Sequence, residues 1–61
     1  MSLIIEQLQK NLNKDISIVL KSKFRYTGRL LSLDDKHIKI DDFREGEIVL
    51  LIDSIEVVMQ R

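Results

Sequence analysis

The chain contains no cysteine, no proline and no tryptophan, only two glycines, and no excess of either charge. Without cysteine, neither a disulfide framework nor a thiolate metal site can brace the fold, and nothing points to an oxidising compartment. Without proline, no strand is broken by a missing amide donor. The longest apolar run, Ile48 to Ile52, falls far below the roughly 18 residues that a membrane-crossing helix needs. Met1 to Leu8 lacks the basic start and small-residue cleavage site of a signal peptide, so a cytoplasmic protein with no membrane partner is expected.

What remains is a 61-residue chain, 44% hydrophobic, whose three aromatics leave the core to Leu, Ile and Val. That composition excludes disorder and fits one globular domain. A domain this short buries only about 60% of its unfolded surface and is marginal alone. With disulfides and thiolate metal sites excluded, self-association is the remaining source of stability.

Ser2 can cap a helix over about residues 3–12, in which Leu3, Ile4, Leu8 and Leu12 fall near helical spacing opposite Glu6, Gln7, Lys10 and Asn11. The asparagines at 11 and 13, with Lys14 and Asp15, end it. From Ile16 the period changes to two: Ile16, Ile18 and Leu20 alternate with Ser17, Val19 and Lys21. After a turn at Ser22 and Lys23, a second strand runs from Phe24 to Leu33, with Phe24, Tyr26 and Leu30 on one face. Gly28 within it predicts a bulge, a sharp bend or a close backbone approach. A third strand spans His37 to Asp41, a loop follows over Asp42 to Gly46, and strands from Glu47 to Leu51 and Ser54 to Met59 complete the chain. Five short strands without an intervening helix predict an all-β, strongly bent barrel over about residues 16–60 behind a short N-terminal helix.

The charges are unevenly distributed along the sequence. Residues 10 to 29 hold Lys10, Lys14, Lys21, Lys23, Arg25 and Arg29 against Asp15 alone, whereas residues 30 to 61 hold eight carboxylates against Lys36, Lys39, Arg44 and Arg61. If sequence halves map to separate surfaces, the barrel has a basic and an acidic side; otherwise these are solvated strand faces.

The segment Gly28-Arg-Leu30-Leu-Ser-Leu-Asp34, followed by Ile38-Lys-Ile40-Asp41-Asp42, resembles the first motif of the Sm and Sm-like (LSm, Hfq-type) family. The apolar pattern from Gly46 through Ile48, Leu50, Ile52, Ile55 and Val57 to Val58 is similar to its second motif. The resemblance implies a five-stranded Sm-like (SH3-like) barrel that forms rings by pairing the fourth strand of one subunit with the fifth of its neighbour. It also implies RNA binding through the turn after the motif aspartate. Two features depart from the family. The turn Asp35-Lys36-His37 is one residue shorter and lacks an asparagine, and Leu51 and Ile52 stand where an arginine and a glycine help form the RNA pocket. The fold and the ring are therefore implied more firmly than the pocket.

Edge physics points the same way. Ile48 to Met59 holds nine apolar residues of twelve, and exposed strands of that character aggregate unless paired. Ile48, Leu50, Ile55 and Val57 are the candidate interface of a homo-oligomeric ring of about five to eight subunits. The competing reading assigns the same residues to a barrel core covered by the helix.

No catalytic set is visible. Asp34 with Asp35, and Asp41 with Asp42, are ordinary turn formers, and Asp34 is expected to order its loop through local hydrogen bonds. His37 is the only histidine, so a zinc site would have to recruit carboxylates or neighbouring subunits, and His37 is read as either a solvent-facing strand residue or a contact for a base. No cofactor and no metal are expected. The candidate RNA-binding residues are Asp34, Lys36 and His37 in the turn, with Lys21, Lys23, Arg25 and Arg29 for phosphates. Tyr26 offers either a stacking surface or a core side chain. The leading expectation is a ring that binds single-stranded RNA. The alternative is a structural or protein-interaction ring that has lost the RNA pocket. A monomeric DNA-coating barrel is disfavoured by a net charge of zero.

Overall fold

A computed structural model describes residues 3–61. Helix α1 (Leu3–Lys10) precedes strands β1 (Asp15–Leu20), β2 (Arg25–Leu33), β3 (His37–Asp42) and β4 (Gly46–Leu51), a single 3-10 turn (Ile52–Ser54) and β5 (Ile55–Gln60). The cap assigned to Ser2 lies outside the described residues.

The strands form one antiparallel sheet in the order β4-β3-β2-β1-β5. Period-two alternation builds its inner face. Ile16, Ile18 and Leu20 of β1 point inward with Ile38 and Ile40 of β3, and Leu30, Ile52, Ile55 and the helix residue Leu8 complete the core. Ile4 and Ile5 of α1 pack on it half-buried, so the helix covers one opening of the bent sheet.

The helix stops where its last carbonyls find other donors. The Asn11 side-chain amide donates to the Gln7 carbonyl at 2.7 Å, and Asn13 turns left-handed with φ 66°. Asn13 N–H then donates to the Leu30 carbonyl at 2.7 Å, which ties the helix exit to the middle of β2.

Gly28 produces no bulge. It pairs with Ile16 on one side and Asp42 on the other, and an added Cβ would strike the Asp41 carbonyl and lie 2.8 Å from the Asp42 Cα. The close backbone approach is therefore what the glycine serves. The sheet is irregular elsewhere: Leu31 is the extra residue in β2 opposite β3, and Glu56 is the extra residue in β5 opposite β1. The aromatic face also differs from expectation. Leu30 is buried and Tyr26 half-buried, but Phe24 lies just before β2 and is 66% exposed.

Candidate nucleic-acid interface

Three turns meet at one end of the sheet. The Lys36 carbonyl in the β2–β3 turn accepts the Ile52 amide at 2.8 Å, and the Ser54 carbonyl accepts the Lys21 amide at 2.8 Å. The 3-10 turn thus joins the β2–β3 turn to the β1–β2 hairpin, bringing Lys36 and Lys21 to either side of it. Ile52 earns this place by inserting its side chain into the core.

Asp34 organises the β2–β3 turn. Its Oδ1 accepts the amides of Lys36 at 2.8 Å and His37 at 2.7 Å, while its own amide donates to the His37 carbonyl at 2.9 Å. The Lys36 amide first, and the His37 amide second, hold the Asp34 pKa below its ordinary value of 3.8. The imidazole Nδ1 of His37 lies 3.6 Å from the same oxygen. The motif aspartate is therefore spent on loop order, as expected from sequence. His37 stands opposite Leu51 of β4 and next to a hollow of about 160 Å3 bordered by Ser32, Asp34, Lys39 and Val49. That volume is below the ~300–1,000 Å3 of sites that enclose small molecules.

The seven candidate residues do not form one patch. Asp34, Lys36 and His37 share the β2–β3 turn, and Lys21, Lys23 and Arg25 share the β1–β2 hairpin tip. Arg29 lies toward the other end of β2, about 13 Å from Arg25 at the usual strand rise. It stands in register with Asp15 of β1 and Asp41 of β3. Lys23 donates to both carboxylate oxygens of Glu56, at 2.9 and 3.1 Å, and Lys39 lies 3.8 Å from Glu47. The basic and acidic halves of the sequence are thus interleaved by antiparallel pairing, and the two-sided barrel does not form. Arg44, in the β3–β4 turn, lies at the opposite end of β3 from His37.

Asp42 is a residue whose role the sequence hides. It reads as a loop residue, yet it ends β3 and is only 4% exposed. Its Oδ1 accepts the Thr27 amide at 3.0 Å, and its Oδ2 accepts the amides of Arg44 at 2.9 Å and Glu45 at 2.8 Å. Burial alone would raise its pKa. The Glu45, Arg44 and Thr27 amides and the Arg44 guanidinium together outweigh burial and hold it below 3.8. The only earlier hint is that Asp42 continues the inward phase of Ile38 and Ile40.

The interface candidates divide similarly. Ile55 is 2% exposed and belongs to the core, while Ile48 and Leu50 are half-buried against it. Val57 is exposed, and with it Met59 on β5 and Val49 and Leu51 on β4. One-residue phase decides this, because alternate residues of a strand face opposite sides.

Among the described residues no group of three or more His, Cys, Asp or Glu could hold a metal ion, and no helix is long and apolar enough to cross a membrane. No protein-family model matches the chain, and no curated protein matches it in sequence. Among solved structures it is similar to the SmAP (LSm) protein from Methanococcus vannielii. The TM-score is 0.71 and the identity 22%, with 90% of each chain covered. The likeness assigns the fold: an Sm-like five-stranded antiparallel sheet behind a short N-terminal helix.

Proposed function

We propose that the chain is a ring-forming Sm-like binding module of the cytoplasm, not an enzyme, and that its assembled form binds single-stranded RNA. The observation that carries this reading is the pair of open edges. β4 and β5 are the terminal strands of the sheet order, and each carries two exposed apolar residues, Val49 and Leu51 on one and Val57 and Met59 on the other. A long unpaired apolar edge is an aggregation hazard. Adding β4 of one copy to β5 of the next satisfies both edges with one repeated contact, and such a contact closes into a ring of about five to eight copies. Repetition brings every copy's Lys21, Lys36 and His37 around one axis. Lys23 and Arg25 then serve phosphates, Arg29 being set apart between Asp15 and Asp41, with Asp34 holding the turn that presents Lys36 and His37.

A second reading, a protein-interaction ring without an RNA pocket, is favoured by one observation. Leu51 and Ile52 offer no guanidinium to a base, and Ile52 is buried. Both readings are tested on the purified protein by native mass spectrometry, followed by fluorescence anisotropy with a labelled oligouridine at about 50 and 200 mM salt. The expected result is one discrete oligomer whose RNA affinity falls as salt rises, with a shallower slope after Lys21→Ala and Arg25→Ala. A stable monomer sinks the ring. A well-formed ring that binds no RNA at low salt sinks the RNA half and leaves the second reading.

A further inference from the structure

We propose that the open groove between α1 and the two turns beside it, the β2–β3 turn and the 3-10 turn, is a docking site for a short basic segment of a partner protein, one that sets large apolar side chains between Lys or Arg residues. The inference goes beyond the RNA reading, since it concerns a surface unsuited to phosphate.

The groove consists of two adjoining hollows of about 420 and 530 Å3 that share Ile5 and Asp35. Its floor is apolar because the helix is only partly covered. Of the apolar stripe of α1, Leu8 is fully buried, which leaves Ile4 and Ile5 with one flank free of the core. Half-buried Leu33 and the core residues Ile52 and Ile55 extend that floor. Both hollows open to solvent, so they cannot enclose a small molecule over most of its surface, whereas a peptide can lie along them and set a side chain in each.

The rim selects positive charge. The hollow beside Gln9 carries Asp34 and Asp35 and no cation, and the one beside Ile52 carries Asp35, Asp53 and Glu56 against Lys21. Glu56 is already bonded to Lys23, but among the described residues no Lys or Arg pairs with Asp34, Asp35 or Asp53. Lys36 and His37, in the same turn as Asp34, do not border the groove. Three carboxylates facing one lysine repel a polyanion or an anionic membrane surface and attract a basic peptide. The apolar anchors then supply affinity, and the carboxylates supply the choice of partner.

The probe is a short labelled peptide alternating Lys and Leu, titrated by anisotropy into the assembled protein at about 50 mM salt. Versions with Glu for Lys and with Ser for Leu are the controls. Expected are saturable binding of the Lys–Leu peptide, none of either control, and an affinity lower by about tenfold or more in Asp35→Asn/Asp53→Asn, which alters two exposed side chains. Isoleucine methyl resonances locate the peptide: those of Ile4, Ile5, Ile52 and Ile55 shift, and that of Ile48 on the β4 edge stays. Unchanged affinity in the double variant, or shifts centred on Ile48, overturns the site, because the peptide then sits on an open strand edge. No binding of the Lys–Leu peptide overturns it as well. If oligouridine shifts the groove methyls, the occupant is nucleic acid; if protein concentration alone shifts them, it is the basic run Lys21–Arg25 of a second copy. Either result overturns the assignment to a partner protein.

Discussion

The Asp41 carbonyl approaches Gly28 across β3 and β2 so closely that its oxygen occupies the space of a Cβ on Gly28. The neighbours are backbone atoms held in the β2–β3 ladder and cannot rotate away. Gly28→Ala is expected to cost about 3 kcal/mol or more, through overpacking that only a backbone shift relieves. Urea unfolding of the variant checks this, and an unchanged midpoint would contradict the close approach.

Asp42 makes stability depend on acid. Its folded pKa lies below the ordinary 3.8, as does that of Asp34, so the stability these carboxylates contribute is fully present above that value. It is lost as pH falls through their lowered folded pKa values, in a window below 3.8. Asp42→Asn keeps the shape but offers one oxygen acceptor where the carboxylate offers two. The variant should be less stable by about 2–3 kcal/mol at pH 7, with a flatter loss on acidification. Urea midpoints at pH 7, 4 and 3 provide the comparison.

Lys23 in the left-handed region carries a conformational cost that glycine does not. Its exposed pair with Glu56 contributes at most about 1 kcal/mol. Lys23→Gly should therefore raise the melting temperature, by about 1 kcal/mol in stability once Glu56→Gln has removed the ion pair from both members of the comparison. The same change at Asn13 should gain less, because asparagine tolerates φ 66°.

Val49→Lys on β4 and Val57→Lys on β5 place charge on exposed positions of the two edges. Each should weaken self-association by about tenfold or more while the circular dichroism of the fold persists. Native mass spectra over a dilution series report the shift, and intact assemblies at the same concentrations would exclude these edges as the contact.

Much of the fold was legible because one physical rule dominates it. The alternation of Ile16, Ile18 and Leu20, and of Ile38 and Ile40, gives the inner face directly, and asparagine with positive φ ends the helix where residues 11–13 predict. What escaped depends on pairing across strands. Arg29 reads as part of a basic half until register sets it between Asp15 and Asp41. Glu56, the extra residue in β5, sits between inward Ile55 and outward Val57, so alternation alone mistook a core residue for an interface one. Phe24 has the spacing of a core residue with Tyr26 and Leu30 but precedes the strand by one position, where its carbonyl still bonds to Leu20 while its ring stays exposed.

The open edges have a consequence in solvent exchange. In an antiparallel edge strand every second amide points away from its one neighbour. In an isolated chain those β4 and β5 amide protons exchange freely with deuterium, while the alternate set, bonded to β3 or β1, is protected by the stability of the sheet. Strand-to-strand assembly protects the outward set directly, and the inward set only through the added stability of the assembly. The pattern of exchange along residues 46–51 and 55–60 thus reports, amide by amide, which edges are engaged and in what register.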